Sequence, residues 1–363
     1  MKRKIVIIAG GDSSEYEVSL RSAKGIYSFL DKTQYDVTIA RLHGKDWVAL
    51  PNVELRFTNG ELAEDESLTG AGISIDKNDF SYTYKGQKRT FDFAYITIHG
   101  TPGENGVLQG YLDLIGLPYS CCGVLAASIT FNKYACNHYL KNFGFKIANS
   151  ILLRKDEWQK KKADVQAVNN QIVNELRLPC FIKSNIGGSS FGCSKVKTED
   201  AIIPAIERAF EEGNEVICES YMQGTEVTCG VYKTKDKAVA FPITEVVTKN
   251  EFFDYDAKYR GQVDEITPAR IPDAVRDRIQ AETLRLYDIL GCQGIIRVDW
   301  ILTAQGEERV DKAVNPKNVV INLLEVNTTP GMTATSFIPQ QVRAAGLKIG
   351  DVLADIIESH FDK

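Results

Sequence analysis

Ile295-Ile296-Arg297-Val298-Asp299-Trp300 and Leu323-Leu324-Glu325-Val326-Asn327 read as two strands whose polar residues fall two apart. Strand geometry puts Arg297 and Asp299 on one face, and Glu325 and Asn327 on one face of theirs. If the strands pair through the hairpin between them, Asp299 and Glu325 become neighbours. They would then repel by about 4 kcal/mol at roughly 4 Å and an effective dielectric of about 20, so something positive belongs between them. Oxygen-only ligands suit a hard cation, and magnesium with bound phosphate is the common case for so few protein ligands. The rival is an Arg297 salt bridge to Asp299 on a solvated sheet face. The Asn327-Thr328-Thr329-Pro330-Gly331-Met332-Thr333 segment that follows tips the reading to the metal.

Outward from this pair, strands are expected near 227–233, 238–244, 294–302 and 320–327, with Asp311 to Asn318 as a polar hairpin excursion between the last two. A preceding unit holds a helix at 131–142, a charged solvated helix within 154–176, and strands at Cys180–Lys183 and Glu215–Glu219. At the start, Lys4–Ala9 is an apolar run ending in Gly10-Gly11, followed by a helical pattern through Val18, Leu20, Ala23, Ile26, Tyr27 and Leu30. Tyr35–Leu42 and Phe91–His99 continue as strands, which suggests a Rossmann-like α/β domain with a parallel sheet. Residues 51–90 look like an insertion or hairpin on its edge. The expected domains are 1–121, 122–219 and 220–363, in keeping with 363 residues at ~100–200 per domain.

A net charge of -5 with 25% charged residues gives no nucleic-acid footprint. The eight cysteines show no CxxC pair, as expected for reduced thiols in a cytoplasmic protein rather than a zinc site. The apolar run after Lys2, Arg3 and Lys4 is too short for a signal peptide or a membrane span.

Three further segments carry chemistry. Phe181-Ile182-Lys183-Ser184-Asn185-Ile186-Gly187-Gly188-Ser189-Ser190-Phe191-Gly192 is a strand followed by a loop whose small residues let backbone N–H groups and hydroxyls close over phosphate, with Lys183 supplying charge. It is not a Walker A loop. Gly10-Gly11-Asp12-Ser13-Ser14-Glu15-Tyr16-Glu17 lies where a strand feeds a helix, a usual place for ligands, and lacks the GxGxxG fingerprint of a dinucleotide site. Ser14 with Glu17 fits a capping box, leaving Glu15 to point into a cleft and bind an ammonium group. In His99-Gly100-Thr101-Pro102-Gly103-Glu104-Asn105-Gly106, His99 lies at the ligand-facing edge of the sheet, though a loop histidine satisfied by its neighbours fits equally.

Together these segments resemble the D-alanine-D-alanine ligase family of ATP-grasp enzymes along nearly the whole chain. The matching stretches are Gly10–Leu20, His99–Gly110, Lys133–Leu140, Lys183–Gly192, Glu219–Glu226, Phe253–Tyr259, Arg297–Asp299 and Glu325–Ser336. The resemblance implies a three-domain ATP-grasp architecture: an N-terminal parallel α/β domain followed by two α+β subdomains that hold ATP between their sheets. It implies phosphate contacts from Lys133, Lys183 and Ser190, an adenine-side strand at Glu219, Ser220, Tyr221 and Met222, and a ribose ligand in Glu226. Asp299, Glu325 and Asn327 would ligate two magnesium ions, with manganese as an alternative.

By the same resemblance Glu15, with His99 nearby, holds the ammonium of the first D-alanine. Arg297 and the Gly331 N–H stabilise the oxyanion, and Ser336 with Lys258 binds the second carboxylate. Lys258 is also expected beside ATP. Ser189 and Tyr259 would bond to each other and to Glu15, closing loops over an acyl phosphate. The Lys258-Tyr259 pair points to D-alanine over D-lactate as second substrate, for peptidoglycan precursor synthesis, with a related ligase using D-lactate or D-serine as the alternative, and family resemblance implies a homodimer. Gly187, Ser220, Asn105 and Phe337 depart from the family pattern, putting individual ATP contacts at Gly187 and Ser220 in question. The 311–318 excursion is longer than the family pattern leads one to expect and has no assigned function.

Overall fold

Both faces of the opening strand Arg3–Gly10 are apolar and buried: Ile5, Ile7 and Ala9 on one side, Val6 and Ile8 on the other. Such a strand has to be covered twice. In the computed structural model, which describes residues 2–51, 57–58, 61–62, 68, 70–188, 192–248 and 263–361, helix Tyr16–Phe29 covers the first side through Leu20, Ala23 and Ile26. Leu108 and Leu112 of helix Val107–Ile115 cover the second. The sheet runs Ile73–Ser74, Asp46–Leu50, Tyr35–His43, Arg3–Gly10, Phe93–Ile96. Its last three strands are parallel. The two on the 46–50 side are antiparallel, so the parallel sheet expected from the sequence is a mixed one.

The chain's end returns to this sheet. Val352, Leu353, Ile356 and Ile357 of helix Ile349–Glu358 join the Ile5–Ile7 core, and Glu358 accepts from the Arg3 guanidinium at 2.9 Å and from the Tyr35 hydroxyl at 3.0 Å.

A second, antiparallel sheet runs Ser150–Arg154, Glu215–Ser220, Cys180–Ser184, Ser194–Val196. Its core includes Ile151, Ile182, Val216 and residues of helices Val165–Leu176 and Ile202–Ala209. The charged 154–176 stretch is two helices, Lys155–Lys161 and Val165–Leu176, rather than one solvated helix. Trp158 is buried, and its indole N–H donates to Glu207 at 2.8 Å, because so large an apolar ring is worth burying once its one donor is satisfied.

The third sheet runs Lys146–Ile147, Val319–Asn327, Ile295–Ala304, Thr225–Lys233, Thr244–Thr248, Val263–Ile266, with Ala238–Ala240 also paired to Thr225–Lys233. One face is apolar, with Val227, Cys229, Val298, Trp300 and Leu323 packed against helices Val124–Phe131, Lys133–Lys141 and Asp273–Leu290. The helix expected at 131–142 is Lys133–Lys141, separated from Val124–Phe131 by Asn132, whose side chain accepts from the Ala135 N–H and caps it. The strand expected over 91–99 is laddered only over Phe93–Ile96.

Candidate active site

The polar face of the third sheet is set by register. Thr228, Asp299 and Glu325 lie opposite one another on three consecutive strands, and Arg297 lies opposite Asn327. A bulge beside Asp299 leaves Leu324 without a partner, so that Leu323 and Val326 enter the core while Leu324 and Glu325 both turn outward. This face and the second sheet enclose a cavity of about 290 Å³. Phe181, Lys183 and Glu219 contribute from one side, and Glu226, Thr228, Asp299, Ile301 and Glu325 from the other. Lys133, Ser220, Tyr221 and Met222 complete much of the wall. An apolar slot at one end and cations with carboxylates at the other is a shape for a base with a polyphosphate.

A neighbouring cavity of about 400 Å³ is lined by Glu15, His99, Glu104, Arg297, Asn327, Gly331 and Ser336. Glu325, Gly188 and Phe337 line both cavities, so the two meet at the carboxylate row. Gly188 also shows how closely the central loop meets the N-terminal domain: a Cβ there would sit 2.8 Å from a Glu15 carboxylate oxygen. Glu15 itself takes the N-cap position of helix Tyr16–Phe29 and makes no side-chain cap bond. The capping box expected from Ser14 and Glu17 is therefore not formed. The helix starts too late for it, and Ser13 instead accepts from the Glu15 N–H at 3.2 Å while donating to the His99 carbonyl at 2.7 Å.

Charge compensation is supplied by the protein. The Arg297 guanidinium forks Asp299 at 2.9 and 2.8 Å. This is the ion pair weighed against the metal, but it stands on a cavity wall with both side chains mostly buried, not on a solvated face. Burial opposes the Arg297 charge, and the Asp299 carboxylate outweighs it, holding the guanidinium above its usual range. The Lys133 ammonium donates to the Gly187 carbonyl at 2.5 Å and lies 3.9 Å from Glu325. Lys183 pairs with Glu219 at 2.6 Å, and although burial lowers its pKa, Glu219 with Cys193 and Glu325 raises it further.

Among the described residues no group of three or more His, Cys, Asp or Glu side chains is gathered as a metal site. The candidate donors are two carboxylates and an amide. Two facing carboxylates that already draw in an arginine and a lysine fit a hard divalent cation, and Asn327, whose Oδ1 accepts from the Thr329 N–H at 3.0 Å, keeps a second lone pair for it.

His99 is buried against Ser22, with Nε2 3.2 Å from its hydroxyl, and burial pushes the imidazole below its ordinary pKa. Ser336 shares its hydroxyl with Thr333 at 2.7 Å, and a Cβ on Gly331 would meet it at 3.0 Å. Ser189, Ser190, Lys258 and Tyr259 lie outside the described residues.

Glu104, five residues after His99, is a site residue to which the motif assigns no role. Its carboxylate accepts from the Gly100 N–H at 2.6 Å and faces the second cavity. Burial, then repulsion from Glu15, pushes it up to about 8. Spacing alone could not find it, because nothing in a loop sequence marks which carboxylate turns inward.

Two sheets clamping a lysine-lined cleft, with an α/β domain closing one end, is the ATP-grasp arrangement. The D-ala D-ala ligase N-terminus family matches residues 4–122, and the D-ala D-ala ligase C-terminus family matches residues 139–358. A D-alanine-D-alanine ligase of Phocaeicola vulgatus is 56% identical over 362 residues, 99% of this chain and 100% of its own. Among solved structures, the VanG D-Ala:D-Ser ligase of Enterococcus faecalis matches with a TM-score of 0.76 at 27% identity, covering 99% of this chain and 100% of its own. The Bacillus anthracis D-alanine-D-alanine ligase complexed with ATP matches at 0.68 and 26%, covering 99% and 97%. The chain belongs to the D-ala D-ala ligase family.

Proposed function

We infer that this protein joins two molecules of D-alanine at the expense of ATP, for peptidoglycan precursor synthesis. The observation that carries the reading is the meeting of two cavities at Glu325: one fits a nucleotide, and the other presents a carboxylate and a guanidinium to an amino acid.

In this account Lys133 and Lys183 face the phosphates, Ser220, Tyr221 and Met222 the base, and Glu226 the ribose. Ser190, Lys258, Ser189 and Tyr259 keep their expected roles beside phosphate, nucleotide and loop. Asp299, Glu325 and Asn327 would hold magnesium, which when bound offsets charge on the transferring phosphoryl group. Glu15 holds the ammonium of the first D-alanine, so its carboxylate points toward Arg297. A carboxylate oxygen attacks the γ-phosphorus, the bond to the β-phosphate oxygen breaks, and ADP leaves with an acyl phosphate formed. The free amine of the second D-alanine, its carboxylate held by Ser336 and Lys258, attacks the acyl carbon. Arg297 and the Gly331 N–H donate to the resulting oxyanion, phosphate departs, and the amine loses a proton. Buried His99, whose pKa burial lowers, stands beside Glu15.

The acyl phosphate makes a specific prediction. D-alanine labelled with ¹⁸O in its carboxylate should deliver one labelled oxygen to the released phosphate for each dipeptide. Unlabelled phosphate would rule the route out.

The reading extends to a cytoplasmic homodimer. All eight cysteines are free thiols, as a reducing compartment maintains, and no helix among the described residues is long and apolar enough to cross a membrane. Leu114 and Leu125, 88% and 78% exposed on the mutually packed helices Val107–Ile115 and Val124–Phe131, supply an apolar face for a second copy.

A further inference from the structure

The connection from Ala304 to Val319 is wider than the 311–318 excursion read from the sequence. The Val310 N–H donates to the Thr225 hydroxyl at 2.8 Å, and that hydroxyl donates back to the Val310 carbonyl at 3.1 Å. Val310 is buried in the core of the third sheet. Arg278 of the long helix holds the far end through the Pro316 carbonyl at 3.1 Å. Thr225 immediately precedes Glu226, so the anchor delivers Arg309 to the rim of the nucleotide cavity, which it lines together with Glu226, Val246 and Ile301.

We propose that Arg309 reads the ribose hydroxyls of the nucleotide as a partner to Glu226, and that this is what the long connection is for. The inference rests on the nucleotide reading of this cavity.

Three observations support it. Among the described residues the cavity's lining cations are Lys133, Lys183 and Arg309, and the two lysines stand beside the carboxylates Glu325 and Glu219, at 3.9 and 2.6 Å. Position separates Arg309 from the phosphate end: Thr228 lies opposite Asp299, and Glu226 is two residues along the same strand, about 6.6 Å further on at ~3.3 Å per residue. Finally, Arg309 is held without being used up. One Nη donates to Glu245 at 2.6 Å, Glu245 is also forked by Arg270 at 2.9 Å, and the Arg309 side chain is about half exposed. A guanidinium has five donors in a fixed plane, so one bond to Glu245 orients the fork and leaves donors for hydroxyl oxygens. Carboxylate and guanidinium together form an acceptor and donor pair suited to a cis-diol.

The test is calorimetric binding of ADP and of 2′,3′-dideoxy-ADP to the full chain and to its Arg309→Met and Arg309→Lys variants. Glu245 keeps Arg270 in both variants, and unchanged thermal unfolding would verify the fold. Arg309→Met should weaken ADP about tenfold or more, as the loss of a charged hydrogen bond does, while leaving the dideoxy nucleotide unchanged. Arg309→Lys should fall between. Equal loss for the two nucleotides, or none for either, would overturn the inference while leaving the nucleotide site intact. Failure of the unaltered protein to bind ADP would instead remove the nucleotide reading itself, and the inference with it.

Discussion

Asp299 and Glu325 stand directly opposite each other on antiparallel neighbours, and Arg297, two residues before Asp299, forks it at 2.9 and 2.8 Å. A facing carboxylate pair of this kind persists only when something cationic relieves it. The Lys133 ammonium lies 3.9 Å from Glu325, so each carboxylate of the pair has a cation beside it.

Glu325→Gln keeps the shape and removes one of the opposed charges. Turnover should drop by ~100-fold or more through lost magnesium binding, while thermal stability holds or rises. Activity near that of the unaltered enzyme would remove Glu325 from the metal site.

Arg297→Met separates chemistry from stability differently. It leaves the buried Asp299 unpaired, a change worth about 3–5 kcal/mol, and removes the proposed oxyanion donor, worth ~10²–10³ in kcat. Arg297→Lys restores the charge without the fork, so it should recover most of the stability and little of the rate. Denaturant unfolding beside steady-state kinetics reads both, and equal recovery of stability and rate would argue against the oxyanion role.

Gly188→Ala should act on the amino-acid side alone. Its Cβ would sit 2.8 Å from a Glu15 oxygen, and the carboxylate has to swing away. KM for the first D-alanine should rise by about tenfold, roughly 1.4 kcal/mol, with ADP binding unchanged. A weaker ADP complex with unchanged KM would mean that the loop serves the nucleotide instead.

Glu104 gives the pH dependence its sign. With its pKa pushed up to about 8 in the folded protein, against an ordinary 4.5, the folded state holds a proton that the unfolded state gives up. This contribution is complete below about 4.5, is lost as pH rises toward 8, and is flat beyond. Glu104→Gln should therefore flatten the fall in Tm between those two values. An identical slope in the variant would mean that Glu104 does not titrate there.

Much of this site was legible because strand periodicity is rigid. Two polar residues two apart on each of two apolar strands can face only one way, and the Asp299–Glu325 pairing followed once the strands were joined. The bulge at Leu324 was not legible, since its effect is on facing rather than composition. Nor was the return of helix Ile349–Glu358 to the first sheet, because its apolar stripe does not say which surface it meets. The capping box failed for a related reason: Ser13 found the His99 carbonyl, 86 residues away in the chain, a better partner than local spacing could reveal. Arg309 lies in a polar connection where nothing local distinguishes it. The bonds between Val310 and Thr225 bring it to the cavity, where Glu245 holds it.

The most direct test of the account is phosphate release from ATP and magnesium with D-alanine, against L-alanine, D-serine, D-lactate and no addition, with the organic product identified by mass spectrometry. The account predicts phosphate and D-alanyl-D-alanine in equal amounts with D-alanine alone. Phosphate without that dipeptide, or a mixed product formed preferentially from D-alanine with D-serine or D-lactate, would contradict it.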